Sequence, residues 1–250
     1  ACPVCLAGSG RATGLDPDLS EIRAMLDAIV DAGGPYPIQL SGGEPTLRDD
    51  LPEIVALAKE LGFYHVQINT HGLRLAKDKD YLQKLKDAGT DLIYMQFDGV
   101  SDDVYRQIRG ADLFNLKVNA IKNCAEAKIG VQLVPTIIPG INDHQIGELV
   151  NFAKGMIPVV KGIHFQPVSY FGRYHAVPSD QDRITIPDVL RAIEAQTGGE
   201  VKSVNFLPRR VMDSHCGFSG FFVLQDDNKL KSTTLFKPYE PTFGGRYGAE

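Results

Sequence analysis

Two short stretches bring together residue types that can do chemistry. Cys2-Pro3-Val4-Cys5 sets two thiols at a C-x-x-C spacing, and thiolates so spaced can share a metal ion or an iron–sulfur cluster. By itself the pair fits a zinc knuckle or a thioredoxin-like redox pair equally well. A zinc site asks for two more good ligands close in sequence, and none follows. The second stretch is Ser41-Gly42-Gly43-Glu44-Pro45-Thr46-Leu47, which taken alone reads as a strand-to-helix turn. Of the two remaining cysteines, Cys124 falls in a helix-period segment and reads as a small core residue. Cys216 stands in Ser214-His215-Cys216-Gly217 and is either structural or one member of a larger ligand set. Four cysteines so unevenly spaced are no secreted disulfide framework and fit a reducing compartment, hence a cytoplasmic protein.

The elements that must position these residues follow a regular alternation of helix-period stretches and short apolar runs, as βαβ units require. A helix is expected over Pro17 to Ala32, with Asp16 as N-cap and Pro17 at the first helical position. Strands are expected at Pro37–Leu40, His65–Asn69, Leu92–Phe97, Val131–Pro135 and Gly162–Pro167. Helices are expected at Leu51–Leu61 with Asp50 as cap, at Lys79–Ala88, at Leu113–Ala127, and at Asp143–Gly155 with Asn142 as cap. Residues 181–250 break the rhythm and read as a C-terminal extension after a barrel spanning 1–180. The extension holds a helix at Pro187–Thr197, introduced by Thr185 and Asp188 as a capping box. Beyond it, Phe221–Leu224 and Lys231–Phe236, with Asp226-Asp227-Asn228 as a turn between them, read as a small hairpin or an irregular extension. Repeated right-handed βα units predict an α/β fold, a partial (β/α)6 TIM-like barrel of parallel strands whose first strand would precede Ala1. In that architecture chemistry sits at the C-terminal strand ends. The polar clusters fall there: Gly42-Gly43-Glu44, Asn69-Thr70-His71, Gln96-Phe97-Asp98-Gly99, Thr136, and Gln166 to Ser169.

A cysteine motif in the first βα loop followed by Gly-Gly-Glu-Pro at the end of the next strand resembles the radical S-adenosylmethionine (SAM) superfamily. Its cluster loop reads C-x-x-x-C-x-x-C. The resemblance implies that Cys2 and Cys5 are the second and third cluster ligands, with the first three residues upstream of Ala1, so the chain is read as a fragment. It implies a 4Fe-4S cluster with one iron open to the amino and carboxylate groups of SAM, whose reductive cleavage gives a 5′-deoxyadenosyl radical for C–H activation. Gly42 and Gly43 would let the backbone approach the methionine end of the cofactor, and Glu44 would partner its ammonium. Asn69 would face the cofactor, Gln96 would hold the ribose hydroxyls, and Thr136 with Ile138 would contact ribose and adenine. Gln166 to Ser169 would reach adenine or substrate. Asp98 would bind the cofactor or cap the following turn. His71 reads as a loop histidine, and Arg109 either faces a carboxylate or is a solvated helix residue. The run Gln166 to Arg173, with Arg183-Ile184-Thr185-Ile186-Pro187 and Gln196-Thr197-Gly198-Gly199, is similar to a narrower group. That group holds archaeal tetraether lipid synthase and the pterin-methylating relatives. It implies a lipid or pterin-like small-molecule substrate, methylation or carbon–carbon bond formation, an electron donor such as ferredoxin or flavodoxin, and additional 4Fe-4S clusters if Cys216 has partners.

Charge and hydropathy bound the rest. A net charge of −5 over 250 residues gives no electrostatic footprint for nucleic acid. No apolar run approaches the roughly 20 residues of a membrane span, although a lipid substrate would place the protein at the membrane periphery. Three rivals follow from the same residues. A peptide-modifying radical SAM enzyme would carry a cysteine-rich C-terminal region, and only Cys216 lies there. A degenerate, non-catalytic barrel would serve as a binding module. An aldolase-type barrel would need a lysine at a strand end, and none of the strand ends has one.

Overall fold

The computed structural model describes residues 16–174, 178–208 and 217–234. The cysteine motif of residues 2–5, Cys216 and the tail beyond 234 lie outside the described residues. The chain divides into two compact units, Ala1–Thr185 and Ile186–Glu250.

In the first unit, elements alternate as α1 (Leu19–Asp31), β1 (Ile38–Leu40), α2 (Leu51–Glu60), β2 (Val66–Thr70), α3 (Lys79–Asp87), β3 (Leu92–Gln96), α4 (Asp102–Arg109), α5 (Phe114–Glu126) and β4 (Gly130–Val134). A short β5 (Thr136–Ile137), α6 (Ile146–Gly155), β6 (Val160–Ile163) and a short β7 (Gln166–Pro167) complete it. Strands β1, β2, β3, β4 and β6 form one sheet in chain order, and every neighbouring pair is parallel. This sequential parallel winding is a partial (β/α) barrel, as the alternation predicts. β5 and β7 form a second parallel pair, Thr136 opposite Gln166.

The strands carry two different faces because side chains alternate. On one, Ile68, Ile93, Val131 and Val160 are buried in register beneath the helices. Leu57, Leu82, Ile121 and Leu149 of α2, α3, α5 and α6 are also among the buried apolar residues. Phe97, just past β3, stacks on Phe152 of α6 with ring centroids 4.9 Å apart and meets Tyr105 and Phe114 edge-on. Cys124 is fully buried in α5, and burial pushes its thiol up to about 12, so it is a core residue.

Several sequence expectations need correction. α1 starts later than expected. Asp18, not Asp16, is its N-cap, accepting from the Ser20 and Glu21 amides while Glu21 answers on the Asp18 amide. This reciprocal box satisfies donors that a Pro17 start would leave open. Asp50 precedes α2 but makes no side-chain cap, because Arg48 holds both its oxygens at 2.8 and 2.7 Å. α4 is a separate helix. The second unit holds α7 (Ile186–Gln196), β8 (Leu207–Pro208) paired with β9 (Phe218–Ser219), and the hairpin of β10 (Phe222–Leu224) and β11 (Leu230–Ser232). Asn228 takes the left-handed conformation in its turn, a conformation asparagine tolerates well.

Candidate active site

The C-terminal ends of the parallel strands are joined by a continuous chain of polar contacts. It begins at Glu44, after β1, whose side chain is 10% exposed. Its Oε1 accepts from the Thr46 amide at 3.1 Å, the Thr46 hydroxyl at 2.5 Å and the Thr70 hydroxyl at 2.6 Å. Its Oε2 accepts from the His71 amide at 2.8 Å. Glu44 thus ties the Gly-Gly loop to the end of β2. Arg74 braces the loop from the other side, donating to the Thr46 carbonyl at 2.9 Å and lying 3.5 Å over the Tyr81 ring.

The turn after β2 is equally fixed. Gly72 has φ +75, and a Cβ there would lie 2.6 Å from Met95 Sδ. Both the backbone and the packing on β3 therefore require glycine. His71 Nδ1 accepts from the Leu73 amide at 3.2 Å and sits 3.2 Å from Glu44 Oε2. Burial lowers the imidazole pKa, the Glu44 charge opposes that shift, and the Lys117 and Arg109 charges add to it.

Lys117 of α5 is the centre of the next link. It is fully buried. Its ammonium donates to the His71 carbonyl at 2.5 Å, the Gln96 carbonyl at 2.8 Å and the Gln96 side-chain oxygen at 2.9 Å. The Gln96 amide nitrogen in turn donates to Asp98 Oδ2. Asp98 is fully buried and receives Arg109 Nε at 2.7 Å and Nη2 at 3.1 Å, with the Thr136 amide at 3.3 Å from Oδ1. Arg109 therefore faces a carboxylate and is not a solvated helix residue. Asn142 completes the rim. Instead of capping the following helix, its amide donates to the Asp98 and Thr136 carbonyls at 2.7 and 2.8 Å and its oxygen accepts from Ile138 at 2.7 Å.

The structure thus gathers Glu44, Gln96, Asp98 and Thr136 into one network. Asn69 stands beside it, donating to the Ser41 hydroxyl at 3.2 Å. Gln166 reaches inward to the Tyr94 hydroxyl at 3.2 Å. Sequence reasoning missed Lys117 and Asn142. A lysine at helix period looks solvent-exposed, and Asn before a helix looks like a cap. Only the tertiary fold turns both inward.

Gly42 and Gly43 differ from this rim. Both are exposed, and a Cβ built on either meets nothing within 4 Å. Among the described residues, packing leaves the backbone step at the end of β1 open. Among the described residues, no group of three or more His, Cys, Asp or Glu forms a metal site. Past β7, a cleft of about 500 Å³ is lined by Val168, Tyr170, Phe171, Tyr174 and Arg183 among others.

A sequential parallel sheet with a polar rim and an open glycine step at its C-terminal edge is the plan of a barrel enzyme that binds its ligands across the strand ends. Residues 1–153 match the Radical SAM superfamily, and the chain belongs to that superfamily of enzymes, whose members use a 4Fe-4S cluster and SAM. It is similar to 7,8-dihydro-6-hydroxymethylpterin dimethyltransferase of Methanocaldococcus jannaschii, 38% identical over 260 residues, covering 94% of this chain and 51% of that one. This matches the pterin-methylating group named from sequence. A probable GTP 3′,8-cyclase of Saccharolobus islandicus is 31% identical over 182 residues, 71% of this chain and 56% of the relative. The chain spans about half the length of these curated relatives. The fold is similar to anSMEcpe with bound AdoMet and Kp18Cys peptide, with a TM-score of 0.60 at 15% identity over 81% of this chain and 60% of that one. No helix among the described residues is long and apolar enough to cross a membrane.

Proposed function

We propose that this chain carries the radical-generating core of an enzyme that methylates a pterin-like small molecule. Cys2 and Cys5 are two of the thiolates that hold its 4Fe-4S cluster. The observation that carries the reading is the open backbone step at Gly42 and Gly43 beside a fully engaged polar rim. Held there, the cluster would supply the chemistry of one-electron reductive cleavage of SAM. The protein's own residues bind and orient. The Gly42-Gly43 backbone receives the amino-acid end of SAM. Glu44 holds that loop against β2, so its carboxylate acts on the cofactor mainly through the loop it fixes. Asn69, Gln96, Thr136 and Gln166 present neutral polar groups toward the ribose and adenine, and Asp98 aims Gln96 and the Thr136 backbone. Ferredoxin or flavodoxin of a reducing cytoplasm is the electron donor, and further clusters would use Cys216 with thiolates from outside these residues. The pterin assignment draws on the dimethyltransferase relative.

The test is anaerobic reconstitution with iron and sulfide, followed by dithionite and SAM. Visible absorbance that bleaches on reduction and formation of 5′-deoxyadenosine are expected. Intact protein that takes up no iron and forms no 5′-deoxyadenosine refutes the reading.

A further inference from the structure

The inner face of the sheet, opposite the aliphatic face, is not packed like the inside of an ordinary barrel. Barrel interiors are filled by branched aliphatic side chains. Here the register aligns Gln39, Gln67, Leu92 and Gly130 in one row and Asn69, Tyr94, Gln132 and Gly162 in the next, with Gln96 and Val134 above them at the rim. Five of these ten positions are carboxamides. None bears a charge. Lys161, at the register shift of β6, lays its stem against Gly130 at the other, N-terminal edge.

Two features leave room and polar groups for a ligand on this face. A Cβ on Gly162 would meet nothing within 4 Å, so space lies open in the row beside Gln132 and Tyr94. The Gln132 side chain is half-buried and makes no hydrogen bond among the described residues. Its neighbours are held in place. Gln67 donates to Gln39 at 2.5 Å, and Tyr94 receives Gln166 and packs edge-on against His164 with centroids 5.6 Å apart. A carboxamide offers one acceptor and two donors without charge. A row of them beside an aromatic ring complements a flat ring system whose edge alternates donors and acceptors. It offers no cation to a phosphate or carboxylate.

Resting on the radical SAM reading of the rim above it, we propose that this inner face is the substrate wall, with Gln67, Tyr94 and Gln132 selecting an uncharged, lactam-bearing fused heterocycle. Anionic substrates are disfavoured because the row of Tyr94 and Gln132 holds no counter-charge, the Lys161 stem lying against Gly130 in the row beyond it. A buried amide edge left unpaired by a wrong ligand costs binding, which sharpens the choice.

The experiment titrates intact, anaerobically prepared protein into fluorescent 6-hydroxymethylpterin, with GTP as competitor. Saturable binding that equimolar GTP does not displace is expected. Gln132→Leu and Gln67→Leu should each weaken binding about tenfold with unchanged melting temperatures. Gln132→Asn, which keeps the amide but draws it back one methylene, should weaken it less and serves if a leucine variant misfolds. Leucine variants that bind as wild type, displacement of the probe by equimolar GTP, or no binding by wild type would overturn the proposal. Assaying SAM cleavage on the same preparation separates the two readings. 5′-Deoxyadenosine without probe binding overturns the wall alone, and probe binding without that product overturns the radical reading alone.

Discussion

Replacing Lys117 by methionine removes the ammonium that joins the β2 turn to β3. Three acceptors lose their donor: the His71 carbonyl, the Gln96 carbonyl and the Gln96 side-chain oxygen. A buried acceptor left unpaired costs about 1–3 kcal/mol, so the gross loss is roughly 3–9 kcal/mol. Against this, methionine no longer buries a cation, which returns several kcal/mol. The net destabilisation should be about 3 kcal/mol. For a unit of this size each kcal/mol moves the melting temperature by roughly 2–4 °C, giving a fall of about 6–12 °C. Thermal unfolding followed by circular dichroism reads it, with Lys122→Met, an exposed lysine of the same helix, as the control that should stay unchanged. SAM affinity should also fall, because Gln96 loses the contact that fixes its oxygen. A Lys117→Met protein that melts within about 2 °C of wild type would refute the view that this lysine organises the rim.

Other outcomes follow from the same geometry. Arg109→Met leaves the fully buried Asp98 without its cation and should cost about 3–5 kcal/mol in urea denaturation, with the double variant Asp98→Asn/Arg109→Met recovering part of it. His71 has a folded pKa below its ordinary value of 6.5 because it is buried, so the unfolded chain takes up its proton first as pH falls. Its contribution should be constant above about pH 6.5 and be lost progressively below, and His71→Asn should flatten that part of the urea-midpoint profile. A Cβ at Gly43 meets no neighbour among the described residues, so Gly43→Val should melt near wild type while weakening SAM binding at least tenfold by calorimetry.

The aliphatic face was legible because period-two burial under helices writes itself as short apolar runs, and β2, β3 and β4 fall within a residue of their expected bounds. The glycine step was legible through its place at a strand end. The α1 cap was misplaced although the decisive signal was present: Glu21 stands three residues after Asp18, while the Pro17 start had no such partner. The rim was only half legible. Glu44, Gln96, Asp98 and Thr136 announce themselves at strand ends, but their mutual contacts depend on Lys117 and Asn142, whose inward orientation is a product of packing. Gln39, Gln67 and Gln132 were visible only as the polar alternates of their strands. No motif marks them, because their common row exists only once the strands are in register.

The two faces of the sheet also divide the consequences of mutation. Shortening Ile68 or Ile93 opens a cavity and costs about 2–5 kcal/mol, so that face is held nearly fixed by the need to fold. The amide rows opposite border open space, where an exchange among small polar side chains leaves the core untouched. Alternate residues of the same strand are therefore free to drift at different rates. The wall that meets the substrate can be rewritten while the frame that presents it stays, so one scaffold of this kind can pass from one ligand to another without crossing an unfolded intermediate in sequence space.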